Sequence, residues 1–365
     1  MKALILAGGF GTRLRPLSCT RPKLMFPIAN KTLLDWIVEN LAKEGVTKVV
    51  LAVNYMADAL ERDFGSSKYG VEIIYSREKK PLGTGGPIKK AENILREDNA
   101  PFLVLNGDII STISFSELYR THQSFGGTGT IALHEVEDPT RFGVVELNEH
   151  RITRFVEKPS REEAPSNLVN AGVYVLDQSI FDIIPPETKV SIEREIFPTM
   201  VARRSLYGYR FQGLWIDTGK PSDYFLANRS MLNRIAGTMP LIDEEASVST
   251  KATILPPTII GAGVSVEEDA CVGPYASIGD NVTIGKGSRV ENTIVFPRAW
   301  IENYTSIKGG IIGEGAIIGR WVKVEEGCII GDHVVINDNI TLTKNVKICH
   351  SKEISESILQ STTIM

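Results

Sequence analysis

The stretch KALILAGGFGTRLRP, residues 2 to 16, decides how the first part of this chain folds. Its apolar start predicts a buried strand over Lys2–Ala7, which leads directly into Gly8, Gly9 and Gly11. Glycines let the backbone turn with positive φ and bring its N–H groups close to an anion. Arg13, and Lys23 a few residues later, add full positive charge. The segment therefore predicts a polyphosphate-binding loop.

Outward from this loop, the chain alternates strand-like and helix-like runs as far as about residue 235. The strand patterns are Lys2–Ala7, Lys48–Val53, Val71–Tyr75, Phe102–Leu105 and Thr130–Val136, and the helical patterns are Leu33–Glu44, Ala57–Phe64 and Pro87–Arg96. Such alternation indicates βαβ units and a mostly parallel sheet. Ligands bind at the carboxyl ends of the strands in such sheets, and the glycine loop lies at the end of the first strand.

After Pro240 the pattern changes to a repeat of six residues. Aliphatic residues recur every sixth position from Ile242, with one-residue slips at Val295 and Ile312, as far as Ile348. A hexapeptide repeat is typical of a parallel β-helix in which each unit forms one side of a coil. The slips predict a bulge or a short loop leaving the coil. We therefore expect a catalytic domain over residues 1–238, with a connecting helix at about 221–238, and a β-helix domain over residues 239–365.

Composition limits the classes of partner. The chain has 365 residues, 42% hydrophobic and 23% charged, which suits a globular protein of two domains. A net charge of -4 provides no basic field for nucleic acid. No apolar run reaches the roughly 18 residues of a membrane span, so we expect a cytoplasmic protein. The 4 cysteines are scattered and predict neither a zinc site nor a disulfide framework.

The glycine motif also resembles a known family. Gly9 to Pro16 followed by Pro22-Lys23 is similar to the signature Gly-x-Gly-Thr-Arg-Leu-x-Pro and Pro-Lys of the sugar-phosphate nucleotidyltransferases. The resemblance implies an α/β fold: a Rossmann-like domain with a mostly parallel sheet, followed by a left-handed parallel β-helix. It also implies catalytic roles for Arg13 and Lys23 and a nucleotide-binding set of Leu6, Gly8, Gly9, Gly11, Thr12, Arg13, Lys23, Gly83 and Thr84.

A second group of motifs concerns the metal. The reaction of this family brings two anions together, a nucleoside triphosphate and a sugar 1-phosphate, so cations must gather where they meet. Asp108 follows the strand Phe102–Leu105 and lies at its carboxyl end, where Mg²⁺ could be held by a few carboxylates and substrate phosphates. The resemblance implies that Asp108 and Asp217 together hold the magnesium ion.

The sugar-phosphate side is also assigned by resemblance. Glu157 and Asn170 are expected to bind sugar hydroxyls, Lys158 the phosphate, and Gly143 to allow close approach of the sugar. A carboxylate accepts hydrogen bonds from hydroxyl groups, and the lysine ammonium is a compact positive charge that can bind a phosphate, so these roles fit the chemistry. The glycine-rich segment Pro81–Pro87 is expected to face the base.

Several further motifs are similar to the GDP-mannose pyrophosphorylase branch of the family, which implies GTP and mannose 1-phosphate as substrates. They are Ser191–Pro198, Trp215–Asp223, Gly319–Glu325, Val335–Asn337 and the final Ile364-Met365.

Alternatives remain open at the level of sequence. One is a glucose-1-phosphate uridylyl- or thymidylyltransferase, and another is a regulatory subunit that binds nucleotide sugar without making it. A third is a second, acyl-transferring activity in the β-helix with His333 or His350 as base. We expect the β-helix to act in homo-oligomer assembly rather than in the chemical step.

Overall fold

The computed structural model describes residues 1–9 and 11–365, so Phe10 of the glycine motif lies outside the described residues. Contacts divide the chain into two units. The α/β unit comprises the described residues before Gly11 together with Leu33–Asp217, and the β-helix unit comprises Gly11–Thr32 and Thr218–Met365. The predicted boundary at 238/239 follows the change of repeat pattern, whereas the division by contacts also groups residues 11–32 and 218–238 with the repeats. The glycine motif is therefore shared between the units.

The α/β unit is built on one mixed sheet. Its strands are β1 (Lys2–Leu6), β4 (Lys48–Val53), β5 (Ser67–Lys68), β6 (Val71–Arg77), β7 (Phe102–Asn106), β9 (Gly129–Glu135), β10 (Gly143–Asn148), β11 (Arg151–Glu157), β12 (Leu168–Leu176) and β13 (Leu206–Arg210), in the order β10-β11-β13-β9-β12-β7-β1-β4-β6-β5. A separate ladder joins β8 (Ile109–Ser111) to β14 (Trp215–Asp217), and the β-helix unit contributes the hairpin of β2 (Pro27–Ile28) and β3 (Lys31–Thr32). The predicted strands are present with ends shifted by a residue or two.

The parallel arrangement predicted from the alternation holds for β1, β4, β6 and β7, which are consecutive neighbours in the sheet. The strands after residue 129 add mainly antiparallel pairs, including β12 against both β7 and β9. Leu6 at the end of β1 pairs with Asn106 at the end of β7. The loops that follow these two strands therefore leave the sheet at the same edge.

Helices connect several of these strands. They are α1 (Leu33–Lys43), α2 (Ala57–Phe64), α3 (Gly86–Lys90), α4 (Glu92–Leu95), α5 (Phe115–Phe125), α6 (Phe197–Ala202) and, in the β-helix unit, α7 (Pro221–Ile235). The helix predicted over Pro87–Arg96 is two short helices, because Ala91 leaves the helical region with ψ near 4°. Among the described helices, none combines the length and apolar composition that crossing a lipid bilayer requires.

The hexapeptide region forms a parallel β-helix, as expected for the left-handed form. Its described strands stack in three sheets. One sheet holds β15 (Leu241–Ile242), β18 (Thr258–Ile260), β21 (Ala276–Ile278), β24 (Ile294–Val295), β27 (Ile311–Ile312), β30 (Ile329–Ile330), β33 (Lys347–Ile348) and β35 (Thr363–Ile364). The next holds β16 (Ser247–Val248), β19 (Ser265–Val266), β22 (Thr283–Ile284), β25 (Trp300–Ile301), β28 (Ile317–Ile318), β31 (Val335–Ile336) and β34 (Glu353–Ile354). The third holds β17 (Thr253–Ile254), β20 (Cys271–Val272), β23 (Arg289–Glu291), β26 (Ser306–Lys308), β29 (Lys323–Val324) and β32 (Thr341–Leu342).

The sixth-position aliphatic residues form the core of this β-helix. Ile278, Ile284 and Val290, one from each sheet, are fully buried and belong to the same apolar cluster. The two slips in the repeat do not produce a loop leaving the coil, so that expectation was wrong. Each slip removes one residue from a corner, and the register continues with Ile278 opposite Val295 and Val295 opposite Ile312.

Candidate active site

Two strands bring the predicted metal ligands to one place. Asp108 lies in the turn between β7 and β8, and Asp217 is the last residue of β14. Strands β8 and β14 pair in antiparallel fashion, and Asp217 is directly opposite Ile109, the neighbour of Asp108. Opposite residues in such a ladder have Cα atoms about 4.5 to 5.5 Å apart, so both carboxylates are at the same end of the ladder.

The donor set fits magnesium. Magnesium is commonly bound by one or two carboxylates, with substrate phosphates and water completing its ligands. Asp108 and Asp217 supply two such oxygen donors. Within residues 1–9 and 11–365, no group of three or more His, Cys, Asp or Glu side chains forms a closed metal cage. Two carboxylates leave ligand positions for phosphate and water, so the pair suits an ion that is shared with a phosphate substrate.

Trp215 anchors the strand that carries Asp217. Its indole Nε1 donates to the carbonyl oxygen of Ala171 at 2.9 Å. Its ring lies edge-on to Phe142, with centroids 5.1 Å apart, and contacts His134 at 5.5 Å. Phe142 precedes Gly143, and Ala171 follows Asn170. Trp215 therefore connects the ladder of β8 and β14 to the strands that carry the predicted sugar-binding residues. No role was predicted for Trp215, although it is the first residue of the motif Trp215–Asp223 and lies two residues before Asp217.

The predicted sugar-binding residues Gly143 and Glu157 are opposite one another on β10 and β11. A Cβ atom on Gly143 would lie 2.4 Å from Cζ of Phe155 and 2.9 Å from Oε2 of Glu157, so only glycine fits. Lys158 places Nζ 3.3 Å from Oε1 of Glu157 while its side chain stays 59% exposed. The structure thus brings these three predicted residues together and leaves the lysine accessible to a phosphate.

Burial raises the pKa of Glu157. Loss of solvent raises the pKa of its carboxyl, the nearby Lys158 ammonium lowers it, and the carboxylate of Glu193 raises it further. A carboxylate that has lost part of its hydration gains more from accepting hydrogen bonds from ligand hydroxyls. This environment is consistent with the predicted role in sugar binding.

Asn170 is buried and its amide is fixed by two hydrogen bonds. Its Oδ1 accepts from the backbone N–H of Gly172 at 2.8 Å, and its Nδ2 donates to the hydroxyl of Tyr174 at 3.0 Å. Gly172 has φ +71°, and a Cβ there would lie 2.8 Å from Nδ2 of Asn106. Oδ1 of Asn106 is itself buried with no hydrogen-bond partner among the described residues. Asn106 is therefore a further polar residue of this region that the sequence analysis did not select.

The segment predicted to face the base packs tightly against residues 188–193. A Cβ on Gly83 would lie 2.3 Å from the carbonyl oxygen of Val190, and Gly83 has φ +79°. Thr84 donates from its hydroxyl to Oε2 of Glu193 at 2.6 Å and accepts from the N–H of Ile192 at 2.9 Å. The side chain of Thr84 and the backbone of the segment, through Leu82 and Gly85, are thus both bonded to residues 190–193, which holds the segment in place.

Glu78 is a candidate residue that the sequence analysis missed. Its Oε1 is buried and has no hydrogen-bond partner among the described residues, and burial raises the pKa of the carboxyl. An added Cβ on Gly8 would lie 3.4 Å from its Oε2. A backbone hydrogen bond from Leu82 ties the same carboxylate to the start of the segment predicted to face the base. No motif marks this position, and only burial reveals it.

The glycine motif is divided between the units. Leu6 ends β1, and Gly8 and Gly9 follow in the α/β unit. Gly11 has φ +58° and precedes the 3₁₀ turn Thr12–Leu14 in the β-helix unit. Thr12 and Arg13 are exposed, and Lys23 begins a further turn of the same kind, Lys23–Met25. The two predicted cations thus belong to the β-helix unit, whereas the two carboxylates belong to the α/β unit.

Two known families match successive parts of the chain. Residues 2–234 match the family described as nucleotidyl transferase, and residues 254–364 match the GMPPB C-terminal domain. The chain belongs to the nucleotidyl transferase family.

Individual relatives are more specific. The chain is 40% identical over 369 residues, 100% of both chains, to the mannose-1-phosphate guanylyltransferase catalytic subunit beta of Dictyostelium discoideum. It is 39% identical to the mannose-1-phosphate guanyltransferase of Schizosaccharomyces pombe, over 91% of each chain. Among solved structures, a UDP-glucose pyrophosphorylase complexed with UDP-glucose matches with a TM-score of 0.56 and 27% identity, over 64% of this chain and 98% of that chain.

Proposed function

We propose that this protein transfers a guanylyl group from GTP to mannose 1-phosphate, forming GDP-mannose and pyrophosphate. The observation that carries the proposal is the ladder of β8 and β14, which places Asp108 and Asp217 at one end. The two relatives, which match over 100% and 91% of this chain, support the choice of substrates, since both are named for this reaction.

In the proposed reaction, a phosphate oxygen of mannose 1-phosphate attacks the α-phosphorus of GTP. The new P–O bond forms as the bond to the β-phosphate breaks, and pyrophosphate leaves with the electron pair. Both substrates are anions, so neutralisation and alignment are the main tasks of the protein. A magnesium ion held by Asp108 and Asp217 would supply positive charge at the phosphates. Arg13 and Lys23 bind the triphosphate.

On the sugar side, the carboxylate of Glu157 and the amide of Asn170 bind hydroxyl groups. Lys158 contributes its accessible ammonium to the phosphate. Because Asn170 is held by Gly172 and Tyr174, its amide cannot turn freely, and a hydroxyl in the wrong orientation lacks a partner. An unpaired buried polar group costs more than the gain from a typical hydrogen bond, which is a physical basis for epimer selection.

Glu78 supports guanine as the base. Guanine presents two adjacent donors, N1–H and the N2 amino group, and an ionised carboxylate only accepts. Uracil and thymine present a single N–H between two carbonyl oxygens, and a carboxylate repels these oxygens. The unpartnered Oε1 of Glu78 therefore fits the guanine edge better than that of a pyrimidine.

The proposal is tested by measuring pyrophosphate release from each nucleoside triphosphate with mannose, glucose and galactose 1-phosphates, with and without Mg²⁺. We expect the highest kcat/KM for GTP with mannose 1-phosphate and no turnover after chelation. A preference for UTP or dTTP with glucose 1-phosphate would replace the proposal with its main alternative. Binding of GDP-mannose without turnover of any pair would indicate a regulatory subunit.

Inosine triphosphate sharpens the assignment of the base. It lacks only the N2 amino group of guanine, so the wild type should use it about tenfold less well than GTP. In Glu78→Gln the side chain offers one acceptor and one donor, and the preference for GTP over ITP should shrink. An unchanged preference would show that other groups read the base.

The sequence also predicts a cytoplasmic homo-oligomer, and we propose that copies assemble through the β-helix. Trp300 and Ile317 are register neighbours on one outer face and are 49% and 44% exposed. Tyr304 and Trp321 stack at an adjacent corner with ring centroids 4.5 Å apart. Exposed apolar clusters of this kind mark interaction sites. Light scattering of the wild type and of Trp300→Gln measures the subunit count, which should fall in the variant.

A further inference from the structure

Residues 11–32, called here the glycine-motif segment, carry both predicted cations and pack on the rest of the β-helix unit. Phe26, close after Lys23, is buried edge-on against Phe296 of the β-helix and Tyr224 of α7, with ring centroids 6.1 Å and 5.7 Å away. The hydroxyl of Tyr224 also donates to the carbonyl oxygen of Pro27. The chain that carries the triphosphate-binding cations is thus packed on the repeats rather than being a free loop.

Asn228 on α7 adds a polar tie to the same segment. Its Oδ1 accepts from the backbone N–H of Ala29 at 2.8 Å and from the hydroxyl of Ser277 at 2.9 Å. Asn228 is 1% exposed, so both hydrogen bonds are shielded from water. One buried amide oxygen therefore joins the segment, the helix and the β-helix.

The charged contact of the segment is made by Arg21, two residues before Lys23. Nη2 of Arg21 lies 2.5 Å from Oε2 of Glu314 and 2.7 Å from Oδ2 of Asp332. Its guanidinium also lies over the ring of Phe296, 4.9 Å from the centroid. Arg21, Glu314 and Asp332 have side chains 17%, 19% and 4% exposed, so this cluster is largely withdrawn from solvent.

The two carboxylates stand on consecutive coils and are ordered by the β-helix itself. Oδ1 of Asp332 accepts from the backbone N–H of Glu314 at 2.7 Å, and Oδ2 also accepts from the hydroxyl of Thr20 at 2.7 Å. Two neighbouring carboxylates with little hydration require a cation, and removing one partner of such a cluster leaves uncompensated charge. Arg21 supplies that cation from the glycine-motif segment.

We propose that Arg21 is a positioning residue for nucleotide binding, through which the β-helix fixes Arg13 and Lys23 in the arrangement that receives the triphosphate. The proposal rests on the proposed function, because it assigns Arg13 and Lys23 to the nucleotide. Arg21 itself is neutralised by Glu314 and Asp332 and acts through the backbone of its segment. The β-helix then has a part in catalysis besides assembly.

The chain offers a matched control. Arg298, on the β-helix, also forms an ion pair with Glu314, but its side chain is 62% exposed and it lies outside the glycine-motif segment. Arg21→Met and Arg298→Met make the same change of charge next to the same carboxylate. Methionine keeps an unbranched apolar stem, so Arg21→Met retains much of the packing on Phe296.

The experiment measures kcat, the KM for GTP and the KM for mannose 1-phosphate in the full-length wild type and both variants. We expect Arg21→Met to lose at least about tenfold in kcat/KM for GTP, since small misplacements of binding groups have large kinetic effects. Its KM for mannose 1-phosphate should change less than about twofold, as should every constant of Arg298→Met. Equal behaviour of the two variants, or a normal Arg21→Met, would overturn the proposal.

Two further readouts separate positioning from loss of folding. Arg21→Lys keeps the charge and should recover part of the lost GTP affinity. Amide hydrogen exchange should increase over residues 11–32 in Arg21→Met while exchange in the β-helix strands stays as in the wild type. Increased exchange throughout the β-helix, with no recovery in Arg21→Lys, would mean that Arg21 only stabilises the fold. A wild type that transfers no nucleotide would overturn the proposed function and this proposal together, whereas an active wild type with a normal Arg21→Met overturns only the latter.

Discussion

The carboxylates and the cations assigned to catalysis are positioned by different physical means. Asp217 is held by the backbone pairing of β8 and β14, and Asp108 directly precedes β8, so a backbone ladder brings the two carboxylates to one end. Arg13 and Lys23 lie in a segment with little regular structure, which side chains such as Arg21 and Phe26 attach to the β-helix unit. A ladder is rigid, whereas a segment held by a few ion pairs and rings depends on each of them. Substitution of a residue that only supports the cations, such as Arg21, should therefore impair activity, whereas substitution of the side chains around the carboxylates should matter less.

The largest expected effect is at the ladder. Asp108→Asn and Asp217→Asn should each lower kcat by at least about a hundredfold, because stabilisation of a phosphoryl transition state is worth several kcal/mol. Asparagine keeps the size of the side chain and leaves the backbone pairing of β8 and β14 in place, so each variant should still fold. Pyrophosphate release over a range of Mg²⁺ concentrations measures the effect, with the 75% exposed Asp182 changed to Asn as control. Near-normal turnover with Mg²⁺ in either variant would remove the metal assignment.

The next effect is at the cations. Arg13→Ala and Lys23→Ala should lower kcat/KM for GTP by about ten- to a hundredfold, since each removes a full charge that the proposed function assigns to the triphosphate. Arg15→Ala is the control, because Arg15 is an exposed arginine of the same motif with no assigned role. Thermal unfolding of each variant should resemble that of the wild type. A parallel loss of stability and activity would assign these residues to the fold instead.

A smaller effect is expected on the sugar side. Lys158→Ala should raise the KM for mannose 1-phosphate by about five- to tenfold through loss of one charge-assisted contact. GTP affinity, measured by calorimetry without sugar phosphate, should stay within about twofold. The exposed Arg161 changed to Ala is a control for general loss of positive charge. Weakened GTP binding in Lys158→Ala would contradict the division of roles.

The smallest expected effect is a pH dependence at the base. Burial raises the pKa of Glu78, while the Leu82 backbone and the charge of Lys90 lower it by less. Only the ionised form accepts from both guanine donors, so GTP affinity should fall as the pH falls through this raised pKa. The change should be about three- to fivefold and should start at a higher pH than for an exposed glutamate.

Glu78→Gln isolates this titration, because glutamine keeps the size of the side chain without an ionisable group. The phosphates of GTP titrate equally with both proteins, so the difference between wild type and variant reports Glu78 alone. Calorimetric affinities measured from pH 5 to 8 give that difference. Parallel pH profiles would show that Glu78 does not meet the base.

The amino-acid sequence by itself determined the periodic features of this protein. A six-residue spacing specifies a β-helix because each aliphatic residue has one inward position per side, and Ile278, Ile284 and Val290 are buried as the spacing predicts. The alternation of strands and helices likewise predicted the parallel strands β1, β4, β6 and β7. Both signals are local, so they can be read from the chain alone.

Tertiary structure decided what depends on residues distant in sequence. Glu78 became a candidate through burial, and Trp215 through contacts with Phe142 and Ala171. The division of the glycine motif between the units was equally hidden, because Arg21 meets Glu314 and Asp332 about 300 residues later in the chain. Periodicity predicts which face of an element is buried, but it does not predict which residues that face packs against. Pairing between distant side chains is set by packing, and only the folded chain shows it.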